Sequence, residues 1–267
     1  MTSQARFGEE ETGGARLSAQ GAMPAFSQSI IDFWERPFVN GDIVYCDSIL
    51  SITVNPELSE DRRVMVLETA DGRIRAALTP LIADKIGLSQ LQHQNLTIDT
   101  FQQKMHEAGV CLHGADYLFY YSNANKNILL QEGVKGDLRQ LSAEDEDVFS
   151  AFQSSASEQD LDDAYIELDH WAVFGSFDEQ QQLVSAASMY PWENARIADL
   201  GVLTLTSFRG KGHARQVVRS ISKHAYEHGY EPQYRCQLDN AASTALAKAA
   251  GLTLFGKWDV ISPDCMA

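Results

Sequence analysis

Arg209-Gly210-Lys211-Gly212-His213-Ala214 is a run of residues that could hold phosphate. It separates an apolar run at 197–205 from a long amphipathic stretch that starts at 213, which reads as strand, glycine turn, helix. The first amides of a helix have no internal partner and sit at the positive end of its dipole. Glycines let that backbone approach an anion with no side chain in the way. Five cations, Arg209, Lys211, Arg215, Arg219 and Lys223, fall within 206–224 with no Asp or Glu among them, on a chain of formal net charge −16. A basic island on an acidic protein points to one bound anion, here a diphosphate-bearing ligand. The plainer alternative is a solvated helix face, and the glycines in register weigh against it.

Two familiar phosphate loops do not fit. His213 follows Gly212 where a Walker loop needs Lys-Ser/Thr, and Arg215 stands at the third glycine of G-x-G-x-x-G. Arg/Gln-x-x-Gly-x-Gly/Ala does fit, as Arg209, Gly212 and Ala214. This resembles the acetyl-CoA pyrophosphate loop of the GCN5-related N-acetyltransferases. The flanking segments resemble that family too. Residues 198–205 look like its splayed fourth strand, and 213–228 like its central helix, with Ala214, Val217, Val218, Ile221 and Ala225 on one apolar stripe and Gly229 as its stop. Residues 233–238 read as the next strand. Asn240-Ala241-Ala242-Ser243 is similar to the family's Asn-x-x-Ser helix opening, Gly251-Leu252 to its closing Gly-Phe, and 252–260 to a final strand. Upstream, 138–145 resembles the first strand and its turn, with Ser142 as a helix cap, and 171–177 and 182–189 read as the next two strands. The resemblance covers about half of the chain, from near 136 to 261.

The resemblance implies an α/β fold of mixed α+β character, an acyltransferase with a central mixed sheet at 136–267. It also implies backbone contacts to pantetheine from Val202, Leu203 and Thr204, as a strand edge that can stabilise an oxyanion. The diphosphate would lie on the amides of Gly210, Gly212, His213 and Ala214, with Arg209, Lys211 and Arg215 nearby, and Asn240 and Ser243 would meet the lower arm of the cofactor. The expected activity is transfer of acetyl from acetyl-CoA to an amine of a small molecule or peptide, by direct attack on the thioester. The amine must lose a proton to become a nucleophile. Asp199, at the start of the fourth strand, is the first candidate for that role, with Glu167 and then Asp169 behind it; His170 reads as a packed strand residue. Ala247 stands where many members carry a tyrosine that protonates the leaving thiolate. A thiol of pKa about 8.5 leaves without much help, and Ser243 or a water is the substitute donor. A catalytically silent CoA-binding sensor is the alternative. Tyr190, Trp192 and Glu193 are candidates for the acceptor pocket.

The other half must frame these residues. Residues 64–69 and 73–79 flank Asp71-Gly72, a hairpin signal. A strand is expected over 43–54 and another over 117–121. A capping box is expected at Asp99-Thr100-Phe101-Gln102, with Gly109 closing that helix. This gives a smaller α+β domain at 26–135 of unknown role, a boundary within 123–136, and a polar, disordered tail at 1–25. Four cysteines lie far apart with no C-x-x-C pair, so no zinc ribbon or disulfide scaffold is expected, and the spacing suits a cytoplasmic protein. No metal is expected. The acidity disfavours nucleic acid and anionic membrane as partners; a homodimer is compatible with the sequence.

Overall fold

The computed structural model describes residues 25–91, 96–133 and 137–265. The tail expected at 1–25 therefore lies, except for its last residue, outside the described residues. In chain order the helices are α1 Gln28–Val39, α2 Pro80–Lys85, α3 Leu88–Leu91, α4 Ile98–Glu107, α5 Asn123–Gln131, α6 Glu146–Ser154, α7 Glu158–Ala164, α8 His213–Glu227 and α9 Ala241–Ala250. The strands are β1 Asp42–Cys46, β2 Leu50–Val54, β3 Val64–Thr69, β4 Ile74–Leu78, β5 Asp116–Tyr120, β6 Leu138–Gln140, β7 Ala172–Phe177, β8 Leu183–Pro191, β9 Ile197–Thr204, β10 Glu231–Gln237 and β11 Thr253–Val260. The fold is mixed α+β with a mixed sheet.

The eleven described strands form one sheet in the order β1-β2-β4-β3-β11-β5-β10-β9-β8-β7-β6. The sheet runs through the boundary expected near 136. β5, from the first half, pairs antiparallel with both β10 and β11 from the second. The β9–β10 pair is parallel; β6 to β9 run antiparallel to one another.

Alternation along the strands sorts side chains between two faces. On one face α8 and α9 cover Phe119, Tyr121, Ala187, Met189, Ala198, Leu200 and Tyr234. Val217, Val218, Ile221 and Ala225 form the buried stripe of α8, and each valine or isoleucine contributes about 1.5–3 kcal/mol by burial. On the other face α6 and α7 pack on Val173, Ala186 and Leu203. There too α1 lays Ile30, Trp34 and Phe38 over Met65, Leu67, Leu118, Tyr120, Ile197, Phe255 and Trp258. The C-terminal end of α1 is tied down by side chains of the following segment: Thr53 Oγ1 donates to Phe38 C=O at 2.8 Å and Asn55 Nδ2 to Pro37 C=O at 2.9 Å.

Three local expectations are corrected. The strand expected over 43–54 is two, β1 and β2, because Asp47 Oδ1 accepts the amides of Ile49 and Leu50 and turns the chain. The helix cap expected at Asp99 is Thr97, whose hydroxyl accepts the Thr100 amide at 3.2 Å. The polar stretch from 123, where the boundary is expected, opens with a helix, α5, capped by Ser122. Ser142 does cap as expected, in a capping box with Asp145 at a 3-10 turn, Ala143–Asp145.

Candidate active site

β9 and β10 are paired only from Ile197↔Glu231 to Leu200↔Tyr234. Both strands continue beyond this point, β9 to Thr204 and β10 to Gln237, but apart. The hydrogen bonds show which way each backbone group points. Ile197 C=O accepts from Trp192 on the β8 side, and Leu205 N–H donates to Val184 there. Arg196 C=O accepts from Glu231 on the β10 side. Alternation then sends odd positions toward β8 and even positions toward β10. Past the parting, Val202 and Thr204 turn their amides into the gap, while Leu203 pairs toward β8. Thr204 C=O is already taken by Arg209 Nε at 3.1 Å. Gly201 marks the bend. A Cβ there would stand 1.9 Å from Ala164 C=O, so only glycine lets the end of α7 press on β9.

A cavity of about 360 Å³ fills the parting. Its lining comes from both faces of the sheet. Val202, Tyr234, Asn240 and Ser243 belong to the side of α8 and α9, while Asp116, Tyr165, Tyr190, Asp199 and Arg235 belong to the side of α1 and α7. Asp199 is buried, and Arg235 grips both its oxygens, Nη2 to Oδ2 at 2.8 Å and Nε to Oδ1 at 3.1 Å. Gln233 Nε2 donates to Oδ1 at 2.8 Å and Tyr190 Oη to Oδ2 at 3.3 Å. The other side of the guanidinium meets Asp116 at 3.2 Å, and its flat face stacks toward Trp192, 4.7 Å from the ring centre. Burial raises the Asp116 carboxyl above its ordinary range, against the pull of Arg235. Asp162 and Asp163 complete an acidic wall. Burial pushes the Tyr190 and Tyr234 hydroxyls up to about 12, so both are protonated at neutral pH.

The glycine turn builds a second site. Arg209 is extended, Gly210 and Gly212 have φ of 75° and 91°, and α8 begins at His213. Gly212 is the N-cap and supplies no side-chain cap; the first intrahelical bond is Gln216 N–H to Gly212 C=O. The amides of His213, Ala214 and Arg215 are therefore left at the open helix end. A Cβ on Gly210 or Gly212 would meet nothing within 4 Å, so this backbone faces open space. Beside it a cavity of about 290 Å³ is lined by Lys211 of the glycine turn and by Arg215, Arg219 and Lys223, one to a turn of α8, with Glu132 of the first half.

The predicted residues thus fall into three groups. Gly210, Lys211, Gly212, His213, Ala214 and Arg215 lie together at the helix end, where His213 Nδ1 is 2.9 Å from Ser176 Oγ and Lys211 Nζ lies over the Phe208 ring. Arg209 faces away, holding Asp160 of α7 at 2.8 Å. Val202, Asp199, Asn240 and Ser243 line the parting, and Asn240 spends its side-chain oxygen on the Ser243 amide at 2.9 Å. Glu167 is exposed beyond α7, its amide bonded to Ser188 Oγ at 3.3 Å, and it lines neither cavity. His170 bonds the same Ser188 hydroxyl at 2.8 Å, and burial lowers its pKa. Trp192 and Glu193 line neither cavity: Trp192 packs on the α1 core and backs the Arg235 guanidinium, and Glu193 pairs with Arg62. Arg235, Gln233 and Asp116 were not singled out from sequence. A lone arginine inside an otherwise ordinary strand, 235, was the available signal. Among the described residues no group of three or more His, Cys, Asp or Glu is arranged to hold a metal ion, and no helix is long and apolar enough to cross a membrane.

Residues 141–252 match the model of the Acetyltransferase (GNAT) family. No curated protein matches the chain. Among solved structures, an acetyltransferase from the GNAT family of Colwellia psychrerythraea aligns at 20% identity over 72% of this chain and 78% of its own, TM-score 0.47. A functionally unknown conserved protein of Staphylococcus epidermidis aligns at 12% identity over 88% of this chain and 99% of its own, TM-score 0.45. The aminoglycoside N-acetyltransferase AAC(6')-Iy, solved in complex with CoA, aligns at 20% identity over 43% of this chain and 90% of its own, TM-score 0.34.

Proposed function

We propose that the GNAT acetyltransferase domain at 141–252 moves an acetyl group from acetyl-CoA to an amine of a small molecule or peptide. The observation that carries this reading is the cavity at the parted strands, lined from both faces of the sheet. One face gives a donor access to the Val202 amide; the other gives an acceptor access to the same point. A direct transfer needs both reactants in one space.

The residues present fit acetyl-CoA. The uncapped α8 terminus, open at Gly210 and Gly212, would hold its diphosphate. Lys211 and Arg215 have no carboxylate partner among the described residues and would add charge. Asn240 and Ser243 would line its lower arm. Bound there, acetyl-CoA supplies a thioester carbonyl open to attack by a neutral amine.

The chain's own groups do the rest. Val202 N–H, fixed by the strand and turned into the gap, stabilises negative charge on an oxygen placed beside it. Asp199 sets the electrostatics of the acceptor side and is our candidate to receive the amine's proton, through Tyr190 or water. Ser243, which lines the parting beside Tyr234, is our candidate donor to the thiolate. Arg235 is enclosed by Asp116 and Asp199, so the cavity as a whole is negative and favours an acceptor that carries positive charge. The silent sensor reading draws on the same ion pair, since both oxygens of Asp199 are already engaged by Arg235, Gln233 and Tyr190.

Two measurements decide. Acetyl-CoA should raise Tm in a concentration-dependent way; no shift at millimolar acetyl-CoA defeats both readings. Thiol release with a panel of mono- and diamines, aminoglycosides, amino acids and peptides separates them. Binding without release on any acceptor leaves the sensor.

A further inference from the structure

Four buried side chains join the first helix to the acceptor side of the cavity. Trp34 of α1 donates its indole N–H to Tyr120 Oη of β5 at 2.7 Å. Tyr120 donates to Gln233 Oε1 of β10. Gln233 Nε2 donates to Asp199 Oδ1 at 2.8 Å. All four are 5% exposed or less, so water does not stand in for any link.

The direction of every bond is forced. An indole N–H can only donate. It occupies the tyrosine oxygen and leaves the single phenolic proton for Gln233. That proton selects the amide oxygen, which turns the Gln233 NH₂ toward Asp199. Asp199 must then accept, and Arg235 completes its shell. One end of this relay belongs to the cavity; the other two residues belong entirely to the first half of the chain.

We propose that the N-terminal half is a positioning device for the transfer site. Trp34 and Tyr120 act through Gln233 to fix the Asp199–Arg235 pair. This rests on the reading of the cavity as the site of transfer. The placement of β5 between β10 and β11 serves the same end: it carries Tyr120 against Gln233, and Asp116 against the far side of Arg235.

Tyr120→Phe tests it, because it keeps the ring and removes only the hydroxyl. Gln233 Oε1 loses its donor and the amide is released to turn over. We expect kcat/KM for the amine to fall about tenfold, the size of one hydrogen bond, with the KM for acetyl-CoA unchanged. Trp34→Phe should move it the same way by about threefold. In a Gln233→Leu background, Tyr120→Phe should add nothing further. A readout independent of turnover is the Arg235 Nε–H resonance in ¹H–¹⁵N spectra, assigned by its loss in Arg235→Lys. It should shift and exchange faster in Tyr120→Phe.

An unmoved resonance overturns the proposal. So does a moved resonance in an enzyme whose amine kinetics stay at wild-type values, or a parallel rise in both KM values, which marks general loosening. If the wild-type protein neither binds acetyl-CoA nor releases thiol, the transfer reading falls and the resonance alone decides whether the relay positions Asp199. If Tyr120→Phe does not fold, Trp34→Phe carries the same comparison.

Discussion

Arg215 and Arg235 line different cavities of one protein. Arg215 stands on the exposed face of α8, beside the open helix end, with no carboxylate partner among the described residues. Arg235 is enclosed between Asp199 and Asp116 and stacked toward Trp192. The first has its charge available to a ligand; the second has spent it on the protein. A basic lining therefore means a binding site only where the cations lack partners. By the same test Arg219 and Lys223 belong with the structure, since Arg219 pairs with Glu132 at 2.7 Å and Lys223 Nζ donates to Glu132 C=O at 2.9 Å.

The contrast can be broken at either end. Arg235→Met should cost most. It strips the cation from two carboxylates, one of them buried, and should destabilise the protein by about 3–5 kcal/mol, read as a fall in Tm and in denaturant midpoint. Next, Gly212→Val should weaken acetyl-CoA binding strongly. A β-branched residue at φ 91° is strained and screens the amides of α8. Calorimetry should show affinity down by about a hundredfold or more, on the order of two oriented charged hydrogen bonds lost. Lys211→Gln with Arg215→Gln should be milder: the KM for acetyl-CoA up about tenfold, a salt dependence that flattens, and kcat unchanged.

The smallest expected effect concerns pH. Burial lowers the pKa of His170 in the folded state, so the unfolded chain binds its proton first as the pH falls. The stability that neutral His170 contributes is full above pH 6.5, the unfolded value, and drains away as the pH drops through the lower folded value. Tm between pH 7 and 5 should decline, and His170→Gln should flatten that decline. An unchanged slope would mean that the titration lies elsewhere.

These two regions also differ in how far they could be read without coordinates. The α8 terminus is local: Gly210, Gly212 and the helix stripe of Val217, Val218 and Ile221 are neighbours in sequence, and their spacing alone defines strand, turn and helix. The acceptor side is assembled from Asp116, Asp162, Asp199 and Arg235, which four separate elements bring together. No spacing rule connects them. Asp199 could be nominated, but not its burial or its grip by Arg235, which depend on the register of β9 with β10. Glu167 fell outside for the same reason, because the loop after α7 turns it to solvent. Helix α1 was missed although its apolar spacing is plain, since nothing in its sequence says which strands it covers. The sheet's continuity was hidden too. A strand such as 116–120 states its own period, not its neighbours.

β5 has a further consequence for how the chain is made. Its partners, β10 and β11, leave the ribosome only after more than a hundred further residues have been added, a delay on the order of ten seconds at 5–20 residues per second. Until then both its edges are bare and ready to pair with any extended segment that passes. A nascent chain built this way should lean on chaperones, and two separately expressed halves should find one another and reassemble.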